Sequence, residues 1–400
     1  MLPLDDVKVV DLTRYMSGPF CAMQLADLGA DVTKIERVGS GDDARRLAPK
    51  VNGESYPFAM INRHKRSLAL DLKDERGRDI VLDMIEQADI VVENFRPDVT
   101  TRLGLDYEAA RDRNPEIIYA SITGFGQTGP YRHRPGFDIM AQGLMGLLRM
   151  TGEPDGAPAK AGIAVCDIAG GITAANAILA AYIHRLKGGG GQYIDVSLTD
   201  AALAWTIWES AAYFGGGEIA KPEGSRHRRT APYQAYRTSD GYVTVGANNP
   251  KLWEGFCRDV VGKPEWIEDP RFADLPSRME NVAELEREIE AVLTTQTTEH
   301  WIDTLDAAGV PGGPVYRYDE TLQDPHILAR EMVVDSEHPV LGSIKSLGMA
   351  IKYSETPLSI RRPAPVLGQH TVEVLKELGL DGAQVQELID AGVAADGQLD

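Results

Sequence analysis

Short apolar runs alternate with segments of helical spacing through the first third of the chain. Val7–Leu12 is an apolar run, Phe20–Leu28 follows with helical periodicity, and Asp31–Glu36 returns to an extended pattern. Ser67–Leu70, Asp89–Val92 and Ile117–Ile122 read as further strands, and Arg76–Gln87 as an amphipathic helix. Strands separated by helices of this kind predict βαβ units and a parallel sheet.

The pattern then changes. Ile168–Lys187 is one long candidate helix, rich in Ala and stopped by the glycines at 188–191. Tyr193–Leu198 reads as a strand and Thr199–Phe214 as a helix. Residues 224–230 are polar and basic, which predicts a loop. Tyr233–Arg237 and Tyr242–Val245 flank Ser239-Asp240-Gly241, a hairpin signal. Helical patterns follow at Pro250–Val261, Val282–Thr294 and Glu299–Ala308, so 225–320 reads as a separate α+β unit. His370–Leu378 and Asp381–Ala391 predict two helices in the tail.

A length of 400 residues calls for more than one core. The 60 acidic residues against 41 basic ones leave a net charge of −19. That balance argues against nucleic acid and anionic membrane as partners, since both demand a basic surface. There is no unbroken apolar run of transmembrane length and no basic n-region at the start, so the expected compartment is cytoplasmic. Cys21, Cys166 and Cys257 form neither a disulfide framework nor a zinc pattern, and the eight histidines lack ligand spacing. No metal site is expected.

Gly124-Phe125-Gly126-Gln127-Thr128-Gly129 is a literal G-x-G-x-x-G after a strand. A dinucleotide fingerprint also needs a helix at once and an acidic residue about twenty positions on. Pro130 follows instead, so a glycine-rich turn is the better reading. Arg45-Arg46, the run 63–66, Arg132-His133-Arg134 and the run 226–229 concentrate positive charge. They suit either a polyanionic small ligand or a solvated face with local ion pairs.

Cys166-Asp167-Ile168-Ala169-Gly170-Gly171 opens the long helix. Asp167 suits an N-cap there. A carboxylate beside bare helix N–H groups also suits a nucleophile: the dipole would keep it ionised, the N–H groups could hold an oxyanion, and no base would be needed. The two roles are compatible. Each glycine weakens a helix by about 1 kcal/mol against Ala, so the pair implies a close approach to the backbone.

In order and spacing, these residues resemble the class III CoA-transferase family, which includes α-methylacyl-CoA racemase. The resemblance runs from Val10-Asp11-Leu12-Thr13-Arg14 and Ser17-Gly18-Pro19 through residues 25–36, residues 62–72 and Val92-Glu93-Asn94-Phe95-Arg96-Pro97. It continues through Gly124 to Pro130, Asp167, Ala231-Pro232-Tyr233, Ser239-Asp240-Gly241 and residues 367–371.

The resemblance implies an α/β fold: a large Rossmann-like CoA-binding domain over 1–200 completed by 330–400, a small α+β domain over 225–320, and linkers at 201–224 and 321–329. It further implies an interlocked homodimer. Asp167 matches the family's nucleophile, which attacks an acyl-CoA thioester and passes CoA to a free acid through a covalent aspartyl intermediate. Coenzyme A is then a substrate, with no tightly bound cofactor. Arg37, Leu70, Lys73, Asn94, Phe95 and Arg102 match CoA-contacting positions, with Arg14 and Met16 beside the corresponding N-terminal contact. Phe137, Asp138 and Gln142 would border the acyl pocket.

Met16 replaces a glutamine of the formyl-CoA transferase branch, and 224–230 is short and basic where that branch has a glycine-rich lid. Both differences argue against formyl and oxalyl substrates. Phe137 replaces the histidine of the racemase branch, and a phenyl ring cannot carry an α-proton. The expected activity is therefore CoA transfer between short organic acids, with dicarboxylates such as succinate as the expected class. A 2-methylacyl-CoA racemase and a non-catalytic CoA-binding protein are the alternatives.

Overall fold

The computed structural model describes residues 1–397, so residues 398–400 of the expected C-terminal completion lie outside the described residues. The chain divides into two compact units. The larger holds Met1–Leu147, Ala161–Gly217 and the described residues from His326 onward; the smaller holds Leu148–Lys160 and Glu218–Pro325. The segment Leu148–Lys160 thus belongs to the smaller unit, although it falls inside the expected span 1–200 of the larger.

In the larger unit the first elements are β1 (Lys8–Asp11), α1 (Ser17–Asp27), β2 (Asp31–Glu36), β3 (Arg66–Leu70), α2 (Glu75–Glu86), β4 (Ile90–Glu93) and β5 (Ile118–Thr123). They are followed by α3 (Asp138–Leu144), α4 (Val165–Leu186), β6 (Gln192–Ser197), α5 (Leu198–Leu203) and α6 (Ile207–Gly216). The sheet is seven-stranded, in the order β3-β2-β1-β4-β5-β6 with Ala394–Ala395 as a short antiparallel edge beside β3. All other pairings are parallel. The order reverses between β1 and β4, which is where such sheets open a ligand crevice at their carboxyl ends.

Strand alternation explains why both faces are covered. Val9, Val32, Ile90, Val92 and Ile118 join one apolar cluster with residues of α1 and α4. Val10, Ile35, Leu68, Val91 and Tyr119 join another with α2, Val374, Leu375, Val385 and Leu388. The tail helices Thr371–Glu377 and Gly382–Asp390 therefore complete the larger unit, near the expected places.

α4 is long and apolar enough by length and composition to cross a bilayer, but its small-residue face is buried beside α1. Gly170 and Gly171 explain the closeness. A Cβ on Gly171 would stand 2.8 Å from the Ser17 carbonyl oxygen and 2.9 Å from Phe20, and one on Gly170 would stand 2.6 Å from Leu198. The expected close approach is thus made by this chain's own α1 and α5.

Two expected helices differ. α4 begins at Val165, so Asp167 lies in its first turn and makes no cap bond. Residues 199–214 form two helices; at the break the Thr206 N–H and hydroxyl both donate to the Leu203 carbonyl, at 3.0 and 2.8 Å, a tight turn between them. The hairpin Val333–His338 with Gly342–Leu347 had no counterpart among the expected strands. The smaller unit has a three-stranded antiparallel sheet, Tyr233–Arg237, Tyr242–Gly246 and Gly312–Pro314. Its core stacks Trp253 and Trp266 with centroids 6.4 Å apart.

Candidate active site

The loops leaving β1, β4 and β5 meet around one cavity of about 220 Å³. Its wall holds Arg14, Tyr15, Met16, Ser17 and Asp43, then Asn94, Phe95 and Arg96, then Thr123, Gly124, Gly136 and Phe137. Asp167 and Leu198 complete it. The first two loops are stitched together reciprocally. The Arg14 N–H donates to Asn94 Oδ1 at 2.8 Å, and Asn94 Nδ2 donates to the Arg14 carbonyl at 2.7 Å. The Arg14 guanidinium lies 4.7 Å over the Phe95 ring. Burial, then the nearby Arg37, lower its pKa.

The β1 loop rests on buried charges. Lys34 Nζ donates to the Thr13 carbonyl at 2.7 Å and sits 2.9 Å from Asp42. Asp42 in turn accepts the Tyr15 N–H at 2.9 Å. This anchor holds Tyr15 at a φ of 73°, a left-handed conformation that strains a non-glycine residue. Below the β4 loop, Glu93 accepts the Phe95 N–H at 2.8 Å. Burial pushes the Glu93 carboxyl up to about 7.

The β5 loop confirms the glycine-turn reading of G-x-G-x-x-G. Gly126 turns at a φ of 83°, its N–H donates to Thr123 Oγ1 at 2.9 Å, and no helix starts before Asp138. Gly124 and Gly136 touch backbone to backbone, since a Cβ on Gly124 would stand 2.8 Å from Gly136 Cα. The loop therefore closes on itself and leaves Phe137 at the cavity, its ring 6.3 Å from that of Tyr15.

Asp167 is half-buried. Burial first, and the Asp138 charge second, raise its pKa to about 7. The expectation that the helix dipole keeps this carboxylate ionised is corrected accordingly: burial and the like charge of Asp138 raise it instead.

The cavity brings together Arg14, Met16, Asn94, Phe95, Phe137 and Asp167 from the expected residues. Arg37 stands one step behind the wall, 2.6 Å from Asp43. Lys73 and Arg102 are exposed outside it, and the Leu70 side chain is wholly in the core. Asp138 and Gln142 lie behind Phe137 and hold each other at 2.6 Å. Tyr15, Asp43 and Arg96 are wall residues that sequence reasoning missed. Arg96 had a visible signal, standing directly after Asn94-Phe95.

The basic clusters resolve mainly into local ion pairs. Arg63 grips Asp27 with two bonds of 2.8 and 2.7 Å, and Lys65 meets Asp11 at 2.8 Å. Arg66 pairs with Asp31, Glu373 and Glu377. Burial and the charges of Arg361, Arg63 and Arg362 push His64 down to about 3, leaving it neutral. Arg45 binds Glu36, Arg132 faces Asp98, and Arg226 binds Glu286. Among the described residues no group of three His, Cys, Asp or Glu could hold a metal ion.

The family model for CoA-transferase family III matches residues 4–371. The chain is 39% identical over 395 residues to the succinyl-CoA:glutarate CoA-transferase of Mus musculus, a match spanning 98% of this chain and 90% of that protein. It is likewise 39% identical over 401 residues to an acyl-CoA transferase of Fusarium pseudograminearum, spanning 98% and 88%. The crystal structure of a CaiB/BaiF family protein from Brucella suis shares 37% identity and a TM-score of 0.85, spanning 94% of this chain and 99% of that one.

Proposed function

This chain belongs to CoA-transferase family III, and from that membership we propose that it passes CoA between dicarboxylic acids through a covalent intermediate on Asp167. The observation that carries the reading is the Asp167 carboxyl in the wall of the same cavity as Arg14, Asn94 and Phe95. The dicarboxylate class follows the succinyl and glutarate substrates in the name of the mouse relative. Two cations in the wall, Arg14 and Arg96, suit a substrate with a second carboxylate beyond the thioester.

The chemistry balances without an added proton. An Asp167 oxygen attacks the donor thioester carbonyl; the new C–O bond expels CoA thiolate and leaves a mixed anhydride. The thiolate attacks the aspartyl carbonyl, forming aspartyl-CoA and freeing the donor acid as its carboxylate. The acceptor carboxylate repeats the first step on aspartyl-CoA, and the thiolate then attacks the acceptor's acyl carbon. New acyl-CoA leaves and the Asp167 carboxylate is restored. One difficult exchange becomes a series of easier displacements.

Arg14, Met16, Asn94 and Phe95 would hold the thioester end of CoA. Arg37, Lys73 and Arg102, outside the cavity, would meet its phosphates. Phe137 would border the acyl group and, lacking a transferable proton, leave its α-carbon untouched. The homodimer belongs to the same proposal. α6 has no buried residue in the single chain, with Trp208 80% and Phe214 84% exposed, a face suited to a second copy.

The test incubates the protein with succinyl-CoA, traps with hydroxylamine and maps the modified peptide by mass spectrometry. Modification at Asp167, together with an Asp167→Ala variant that binds CoA but exchanges none, is the expected result. Normal turnover by that variant would overturn the reading.

A further inference from the structure

We infer that Asp138 is a positioning residue for CoA transfer: clamped by Gln142, it holds the first turn of α4 by the backbone N–H next to Asp167 and so places a second carboxylate beside the nucleophile. The inference rests on Asp167 being the nucleophile and says how its reactivity is set.

Both Asp138 oxygens are engaged. Oδ1 accepts the Cys166 backbone N–H at 2.8 Å, one residue before Asp167. Oδ2 accepts from Gln142 Nε2 at 2.6 Å. Gln142 is fully buried, one helical turn on, and its Oε1 accepts the Ala161 N–H at 3.0 Å. One Asp–Gln pair thereby grips the strand of chain entering α4 at residue 161 and again at residue 166. α4 has no side-chain cap of its own, so the carboxylate arriving from α3 does the capping in its place.

The placement has an electrostatic consequence. The N–H groups at a helix start would favour an ionised carboxylate in the first turn. Here a different carboxylate already accepts one of them, and its charge repels the ionised form of Asp167. Burial raises Asp167 first and Asp138 adds to it. The other groups around Asp167 are few. The Cys166 thiol on its own turn is pushed up to about 12 by burial, then by Asp138 and Asp167, and stays neutral. Arg14, Arg96 and Asp43 stand in the cavity wall, and α5 contributes only Leu198 there. A carboxylate held at higher basicity is a stronger nucleophile once ionised. Asp138 would therefore trade ionised fraction at acid pH for reactivity above it.

The decisive measurement is a carbon-13 NMR titration of the Asp167 carboxyl in the full-length protein, assigned by its absence from Asp167→Asn. It is paired with kcat/KM against pH, using succinyl-CoA and glutarate. In Asp138→Asn both the titration and the acid limb should move down by about one pH unit. A role in folding alone would lower the plateau and leave both midpoints in place, and that result overturns the inference. The titration reads ionisation whether or not the enzyme turns over. A working Asp167→Ala enzyme would instead defeat the nucleophile assignment itself.

Discussion

The Lys34 ammonium lies 2.9 Å from the Asp42 carboxylate, and neither side chain reaches water. Through Thr13 and Tyr15 this pair braces the cavity wall that ends in Arg14 and Met16. Removing one partner strands a buried charge, a loss of about 3–5 kcal/mol. Lys34→Met should show that loss in urea unfolding and should raise KM for acyl-CoA. Unchanged stability would mean that Asp42 finds another partner.

The same network sets acid stability. Burial would raise Asp11, Glu36 and Asp42, yet all three are held below the usual carboxylate range. Lys34 and Lys65 act on Asp11, Arg45 on Glu36 and Lys34 on Asp42. A carboxyl with a lowered folded pKa stabilises above its unfolded value, and that contribution drains as pH falls through the folded value. Tm should therefore fall steeply below about pH 4, the unfolded carboxylate range. Arg45→Met should lose less stability to acid than wild type, because Glu36 would then no longer be held low. An unchanged acid slope would assign the sensitivity to other groups.

Activity should respond to pH in a different window. Asp167 is raised to about 7, and only its ionised form attacks. Below that value kcat/KM should drop about tenfold per pH unit. Glu93 is also pushed up to about 7, so a control is needed. Glu93→Gln keeps an acceptor for the Phe95 N–H and should retain the acid limb. A limb that vanished in that variant would move the assignment from Asp167 to Glu93.

The parallel sheet was legible because its strands are apolar runs broken by helical spacing, and β2 falls on the expected Asp31–Glu36. Gly312–Pro314 was not, since Gly-Gly-Pro has no strand propensity and pairs only because Tyr242–Gly246 offers an edge. Nor was Ala394–Ala395, a two-residue edge set by β3. At the site, Asp167 was found from its neighbours in sequence. Its raised pKa was not, because that depends on Asp138, 29 positions away in the chain and brought close by α3. For the basic run 63–66 the sequence left a polyanionic ligand and local ion pairs both open, and the structure shows ion pairs. Its acidic partners Asp11, Asp27 and Asp31 sit on other elements.

The two helix glycines should respond unequally to alanine. Gly171→Ala drives a methyl against the Ser17 carbonyl at 2.8 Å, and backbone cannot swing aside. The overpacking, about 1–3 kcal/mol, should exceed the helix-propensity gain of about 1 kcal/mol. Because Ser17 lines the cavity, KM should rise as well. Gly170→Ala meets the end of the Leu198 side chain, which can rotate, so its Tm should stay near wild type. Equal Tm losses in the two variants would contradict the backbone argument.

The exposed face of α6 gives the assembly a direct test. A ten-residue helix with no buried position cannot owe its stability to this chain's own core. Trp208 and Phe214 are its most exposed large side chains, and aromatic anchors of this size each contribute about 2 kcal/mol or more when an interface covers them. Wild-type protein should therefore scatter light as a dimer. Trp208→Glu with Phe214→Glu places two carboxylates where desolvation would be required, and should shift the mass to that of a single chain at micromolar concentration. Since neither residue lines the cavity around Asp167, a loss of activity on dissociation would show that the site needs the second copy. A variant that kept the dimer mass would show that the partner docks elsewhere.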